Sequence, residues 1–218
     1  IVSYGYNVSE SVTLERAEHM KDLGVTVSSN LIFKNHIYDK INVAFRMLGI
    51  IKRNFYSIDT FTFLTLYKSF VRCHIEYANS VWNPPTSGLI RDIERVQKRA
   101  TKYVQGCKHM SYIERLKYLN LPTLRYRRLR GDMIEAYKIL HNIYDPQIVP
   151  ALTRNMDSRT RGNALKLAVQ RSKLDIRKYY FCNRIVRHWN SLPDYVVDSV
   201  SLNSFKINLD RHYKQHEI

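Results

Sequence analysis

The sequence predicts a mainly α fold: a helical bundle after an N-terminal β-hairpin, then a second, small, mostly helical C-terminal region carrying a minor β element. Three observations predict it. Apolar residues recur at three- and four-residue spacing over most of the chain, which places them on one face of a helix. Near the start, a short alternation at Val25 and Val27 runs into the turn-prone Ser28, Ser29 and Asn30. The 218 residues are 44% hydrophobic and 25% charged, enough apolar material for a sizeable core. Seven glycines and six prolines without a short repeat exclude collagen-like and low-complexity classes.

The elements follow in order. Residues 19–33 read as a β-hairpin with Gly24 in its first strand and the turn at 28–30. From Asn35 the period becomes helical: Ile37, Ile41, Ala44, Phe45, Leu48 and Ile51 form the stripe, with Arg46, Lys52 and Arg53 off it. A second helix spans about 60–77, capped by Asp59, with Leu64, Tyr67, Val71 and Ile75 inward. Trp82-Asn83-Pro84-Pro85 breaks the chain, because paired prolines end helices. A third helix covers about 88–104. Leu89, Ile93, Val96 and Ala100 face inward, while Arg91, Arg95, Lys98, Arg99 and Lys102 take the remaining surface. Gln105-Gly106 stops it, since Gly accepts the left-handed cap conformation.

Ser111 with Glu114 has capping-box spacing and opens a short helix. Leu121-Pro122-Thr123 leads into another helix to about 142, carrying Leu124, Leu129, Met133, Ala136, Tyr137 and Leu140. The stretch 144–162 holds Pro146, Pro150 and a polar basic run and reads as a long loop. Residues 164–169 alternate like a strand. Residues 176–189 read as a helix with Tyr180, Phe181, Ile185 and Trp189 inward. Ser201 or Asn203 caps a last helix holding Phe205 and Leu209. The organisation is 1–34, hairpin and what precedes it; 35–106, the bundle; 107–145, further helices; 146–163, a linker; and 164–218, the C-terminal region.

Charge narrows the function. Lys and Arg number 35 against 19 Asp and Glu, a net charge of +16. Residues 39–110 hold 12 basic against 5 acidic residues, and 146–188 hold 10 against 2, while both ends are near neutral. Such a field suits a polyanion, whose condensed counterions are released as phosphates are neutralised. Arg95, Lys98, Arg99 and Lys102 share one helical face. Arg125, Arg127, Arg128 and Arg130 form the densest cluster, and Arg46, Lys52 and Arg53 lie on the first long helix. These eleven are the candidate nucleic-acid contacts, with about half expected to reach phosphate and the rest to be solvated surface charge. The 16 tyrosines mostly fall on apolar stripes (Tyr67, Tyr103, Tyr137, Tyr180), where core packing is expected. Trp82 and Trp189 read as corner-packing residues.

Catalytic patterns are missing. No Asp-Asp pair occurs, the eight histidines are scattered, and Cys182 with His188 has no second cysteine to complete a zinc knuckle. There is no phosphate-cradling Gly-rich loop and no nucleophile elbow. Asp92 and Glu94 point to different faces of their helix and form no acid/base pair. No apolar run approaches the roughly 20 residues that span a bilayer, so no membrane partner is expected. Three separated cysteines fit reduced thiols, hence a cytoplasmic or nuclear location.

Several phrases recur in one order: MKDLGVTVSSNLIFKNHI, FLTLYKSFVRCHIEYANSVWNP, IERVQKRATKYVQG, YIERLKYLNLPTLRYRRLRGDMIEAYKIL, RTRGNALKL and FCNRIVRHWNSLPDYVVDSVSLNSFKINLD. Together, over about 20–210, they resemble the C-terminal part of the reverse transcriptase of non-LTR (LINE-type, jockey-like) retrotransposons. The resemblance implies that Lys21, Asp22, Leu23 and Gly24 form the hairpin near the primer terminus, at the palm–thumb junction. It implies that the following helices are the thumb, and that the region from about Ser111 is post-thumb, with RNA or target-DNA binding. The palm's metal-binding acidic motif, which would need a divalent metal such as Mg, lies upstream in that family and is missing here. The chain alone is therefore expected to hold no cofactor and to be catalytically inactive, its partners being RNA, DNA or hybrid duplex and the upstream palm and fingers. A basic thumb grips a duplex by phosphate contacts that carry no sequence information. The alternative reading is a helical protein-interaction module or a non-functional relic of a mobile element.

Overall fold

The computed structural model describes residues 17–155, 163 and 165–215. Residues 1–16 of the N-terminal segment, and 156–162 and 164 of the linker, the expected strand and RTRGNALKL, lie outside them. Two strands, β1 (His19–Asp22) and β2 (Val25–Ser28), pair antiparallel with Asp22 opposite Val25. The turn is therefore Leu23-Gly24, not 28–30, and Gly24 is not in the first strand. Both turn residues have positive φ, 44° and 78°, as a two-residue hairpin turn matched to strand twist requires, and Gly24 supplies its half without steric cost. Tyr77 Oη donates to Leu23 O at 2.9 Å and pins the tip.

The helices then run α1 (Lys34–Asn54), α2 (Thr60–Leu66), a π-helical stretch Tyr67–Arg72, α3 (Cys73–Glu76), α4 (Asn79–Trp82), α5 (Ser87–Ala100) with a 3-10 turn at Thr101–Tyr103, α6 (Tyr112–Tyr118), α7 (Leu124–Leu140), α8 (Asp175–Tyr179), α9 (Phe181–Asn190), α10 (Asp194–Val197) and α11 (Leu202–Gln215). A mainly α fold after an N-terminal hairpin is what the periodicity predicts. The expected caps form: Asp59 accepts from Thr62 N at 3.0 Å, and Ser111 with Glu114 closes a reciprocal capping box. Gly106 takes φ 81° just past the 3-10 turn.

Two further local expectations differ, and two short helices carry no signal in the sequence. The 176–189 helix is two helices, broken where Tyr180 adopts an extended ψ of 149°. Tyr180 is consequently exposed rather than packed on the stripe. The alternation near 164–169 gives one antiparallel bridge, Arg154 to Leu167, in place of a strand among the described residues. Helices α4 and α10, four residues each, were too short to leave a period.

The apolar core forms two clusters. One runs from Val25 through α1–α5 to Leu124, and the other from Tyr126 through α7, α9, α10 and α11 to Tyr213. Helix α7 is thus shared, its first residue belonging to one cluster and the rest to the other. Trp82 anchors the first, its indole N–H donating to Tyr77 O at 2.6 Å. Trp189 anchors the second and donates to Leu165 O at 2.8 Å. Both are corner-packing residues, as their Asn- and Pro-flanked positions suggest.

Candidate nucleic-acid interface

Helices α1 and α5 lie side by side and parallel. Tyr38 Oη donates to Asp92 Oδ2 at 3.1 Å, and the Arg99 guanidinium sits 5.7 Å over the Phe45 ring. Both contacts join residues 54 apart in sequence, so the helices advance in step. Beyond them the chain after α1 meets the chain after α5 in a parallel bridge, Ile58 to Val104. The two C-terminal ends therefore coincide.

Each helix buries its apolar stripe and presents the remainder to solvent. On α1, Ile37, Ile41, Ala44, Leu48 and Ile51 are buried, while Arg46, Lys52 and Arg53 are exposed. On α5, Leu89, Ile93, Val96 and Ala100 are buried, and Arg91, Arg95, Lys98, Arg99 and Lys102 are exposed on α5 and its 3-10 extension. Tyr38, Phe45 and Lys52 recur every seven residues along the flank of α1 that meets α5, so the seam joins both basic faces. From Arg91 to Lys102 the surface extends about 16 Å at 1.5 Å per residue. Of these eight cations, only Arg95 has an acidic partner among the described residues, Asp92 at 3.4 Å. That pair is highly exposed on the arginine side and constrains it little. Lys98 lies 5.2 Å from the Tyr112 ring.

The densest arginine cluster behaves differently. Arg125 alone is exposed. Arg127 is held in a fork by Glu76, with Nη2 donating to Oε2 at 2.9 Å. Arg130 forms a bidentate pair with Asp210 at 2.6 and 2.9 Å, and Tyr126 Oη donates to the same carboxylate at 2.7 Å. Arg128 is buried, and neither of its terminal nitrogens has a protein partner. Burial holds its pKa down to about 10, so it stays charged at neutral pH. Helix α7 packs on α4, α5, α9 and α11, so most of its circumference faces protein. Four arginines within six residues cannot all reach solvent from such a helix. The structure thus brings eight cations together on α1 and α5, buries Arg128, and ties the half-buried Arg127 and Arg130 into ion pairs.

Internal acids are occupied too. Glu94 lies on α5 yet accepts from the backbone N–H of Leu124 (3.2 Å) and Arg125 (3.3 Å), capping α7, and it accepts the Tyr112 hydroxyl. Burial and the adjacent Glu94 carboxylate raise the Tyr112 pKa well above its ordinary value. Asp92 serves Tyr38 and Arg95 instead, so the two acids act separately. No group of three or more His, Cys, Asp or Glu that could hold a metal occurs among the described residues. No helix among them is long and apolar enough to cross a membrane.

The hairpin sits at the other end of α1. Thr26 N donates to His36 Nδ1 at 3.1 Å, and the His36 ring packs 5.6 Å from Trp82. Lys21, Asp22 and Leu23 are exposed and Gly24 is half-buried against Tyr77. From His36 to Arg53, α1 spans about 25 Å. The hairpin and the shared helix ends therefore flank the basic seam. Sequence reasoning left Arg91 out of the site, although its spacing to Arg95 and Lys98 signals it. It also left out the aromatic residues after α1, which carry no periodic signal.

A groove of about 970 Å³ opens elsewhere, bounded by Leu31, Ile32, Val81, Ile139, Ile148 and Ile176 among others. Its lining includes Glu135 and Asp175 and no Lys or Arg.

Uncharacterized protein B0403.1 of Caenorhabditis elegans is 28% identical over 136 residues, covering 61% of this chain and 69% of that protein. No protein-family profile matches the sequence. No solved structure matches it either.

Proposed function

We propose that the chain is the thumb and post-thumb part of a LINE-type, jockey-like reverse transcriptase, and that it holds a nucleic-acid duplex by its phosphates without reading sequence. The family assignment rests on the six ordered phrases. The binding assignment rests on one observation: eight exposed cations follow the parallel seam of α1 and α5, while the two acids of α5 are engaged, Asp92 by Tyr38 and Arg95 and Glu94 by the start of α7. Arg91, Arg95, Lys98, Arg99 and Lys102 meet one stretch of backbone, and Arg46, Lys52 and Arg53 meet it across the seam. Each phosphate neutralised releases counterions, so affinity is steeply salt-dependent and indifferent to base order. The hairpin at Lys21–Gly24 marks the primer end. On its own the chain binds but does not incorporate nucleotides.

The test is titration of the purified chain with an RNA–DNA hybrid across salt concentrations. Replacing Arg95, Lys98, Arg99 and Lys102 with Gln is expected to flatten the log–log slope by about 3–4, one unit per lost phosphate contact. A folded chain that binds no hybrid at low salt refutes the proposal. A protein-interaction role is the second reading, favoured by the apolar groove and its lack of basic lining. Binding there would resist salt, because apolar burial is not screened.

A further inference from the structure

We infer that the loop where α1 and α5 end together is a stacking platform for an unpaired nucleobase at the edge of the bound duplex. The inference rests on the duplex-binding reading above and adds single-strand or junction recognition to it. Tyr56 is fully exposed at 109%, Phe61 is 79% exposed, and Phe55 is 38% exposed. Three aromatic rings within seven residues are thus given to solvent in a chain whose other tyrosines include the wholly buried Tyr67 and Tyr137.

The loop carrying them is fixed. Phe55 N donates to Ile51 O at 3.0 Å, extending the α1 ladder by one bond. Ile58 is buried at 3% and bridges Val104, and Gln105 N donates to Ile58 O at 3.2 Å. Ser57 Oγ donates to Gln105 Oε1 at 3.2 Å. Asp59 caps α2, so the chain leaves the loop in a set direction toward Phe61. Phe55, Ser57, Ile58 and Asp59 are thus anchored on either side of Tyr56, whose ring stands in solvent, with Phe61 exposed on the first turn of α2. Rings held in place lose little freedom on binding, which favours association.

Charge identifies the partner. Lys52 and Arg53 precede Tyr56 by one helical turn, and Lys102 lies at the matching end of α5. The only acid within the loop is Asp59, whose carboxylate serves the Thr62 N–H. An apolar protein surface would have to desolvate these cations. A nucleobase attached to its phosphate suits both features: its flat face meets an aromatic ring and its anion meets Lys or Arg. Base–aromatic stacking of this kind is sequence-tolerant because every base has a π face.

The experiment compares the full chain on three RNA–DNA hybrids: blunt, with a 3′ overhang, and with a 5′ overhang, each overhang carrying 2-aminopurine at its first unpaired position. The wild type is expected to bind one overhang about 5- to 100-fold more tightly than the blunt hybrid, the range that base stacking supports. Its 2-aminopurine fluorescence should be quenched. The double substitution Tyr56→Leu and Phe61→Leu keeps apolar bulk but removes the flat rings. It should equalise the hybrids and abolish quenching, while blunt affinity and salt slope stay unchanged. The Gln variant of the seam should instead weaken all three together. Equal wild-type affinities with no quenching overturn the platform and leave the duplex grip standing. Loss of binding to every hybrid at low salt overturns both.

Discussion

Arg128 and Arg184 are both withdrawn from water, in opposite circumstances. Arg184 donates to both oxygens of Asp132, at 3.0 and 2.8 Å, and to Ser80 O at 2.6 Å, while Asn83 donates to the same carboxylate. Asp132 retains 4% of its side-chain exposure, so Arg184→Met strands a buried carboxylate. A loss of about 3–5 kcal/mol is expected, read as a lower urea midpoint. Arg128 has no such partner at its terminal nitrogens, and an apolar chain of similar reach removes the desolvation penalty together with the lesser attraction of Glu94, Asp132 and Glu76. Arg128→Met should leave the midpoint unchanged or raise it, with hybrid binding unaffected. A marked fall in stability would mean that those nitrogens are satisfied. His36 sets the pH response: burial is the largest cause lowering its pKa below 6.5, outweighing the small opposite effect of Asp39, and Thr26 N–H occupies Nδ1. The native ring stays neutral where the unfolded ring has taken a proton. Its contribution is therefore complete above pH 6.5 and is lost as pH falls through the folded value. His188 shifts the same way through burial. Urea midpoints should accordingly decline from pH 7.5 to pH 5, and less so in His36→Asn.

Helix α7 begins on a carboxylate that belongs to α5. Thr123 Oγ1 accepts from Tyr126 N at 3.1 Å, and Glu94 takes the N–H groups of Leu124 and Arg125, so three of the first N–H groups are answered. Glu94→Ala should destabilise by about 2 kcal/mol, a helix cap and a buried hydroxyl partner lost together. At the hairpin, Gly24→Ala should cost about 1 kcal/mol through its φ of 78°, since the nearest neighbour of an added Cβ, a Tyr77 ring carbon, would lie at 3.5 Å, an ordinary contact. These two sites show what the sequence can and cannot report. The stripes of α1 and α5 were legible because burial repeats every turn, and the caps at Asp59 and Ser111 because their partners are three residues away. The hairpin turn was misread because Ser28-Ser29-Asn30 looks more turn-like than Leu23-Gly24, and only strand pairing decides between them. The arginine cluster on α7 was legible as charge but not as surface. Glu76 and Asp210, which take Arg127 and Arg130, lie 51 and 80 residues away, beyond any local pattern.

Across the whole molecule, the sharing of α7 couples the two core clusters. Neither can melt without exposing Leu124 on one side or Met133 and Tyr137 on the other. One calorimetric transition is expected, and two separated peaks would show that the halves unfold independently. The net +16 works against this compactness while favouring encounter with a polyanion. The coincident ends of α1 and α5 bear on how strongly such a polyanion would be held. Each helix carries the equivalent of roughly half a negative charge at its carboxyl end, so two ending together start near −1 before any side chain is counted. Lys52, Arg53, Lys98, Arg99 and Lys102 must first offset this field. The attraction felt by a phosphate there is weaker than five cations suggest, whereas Arg91 and Arg95 stand clear of the deficit. A duplex bound as proposed would therefore feel a graded pull along its length, firm toward the hairpin and slackening toward the aromatic tip.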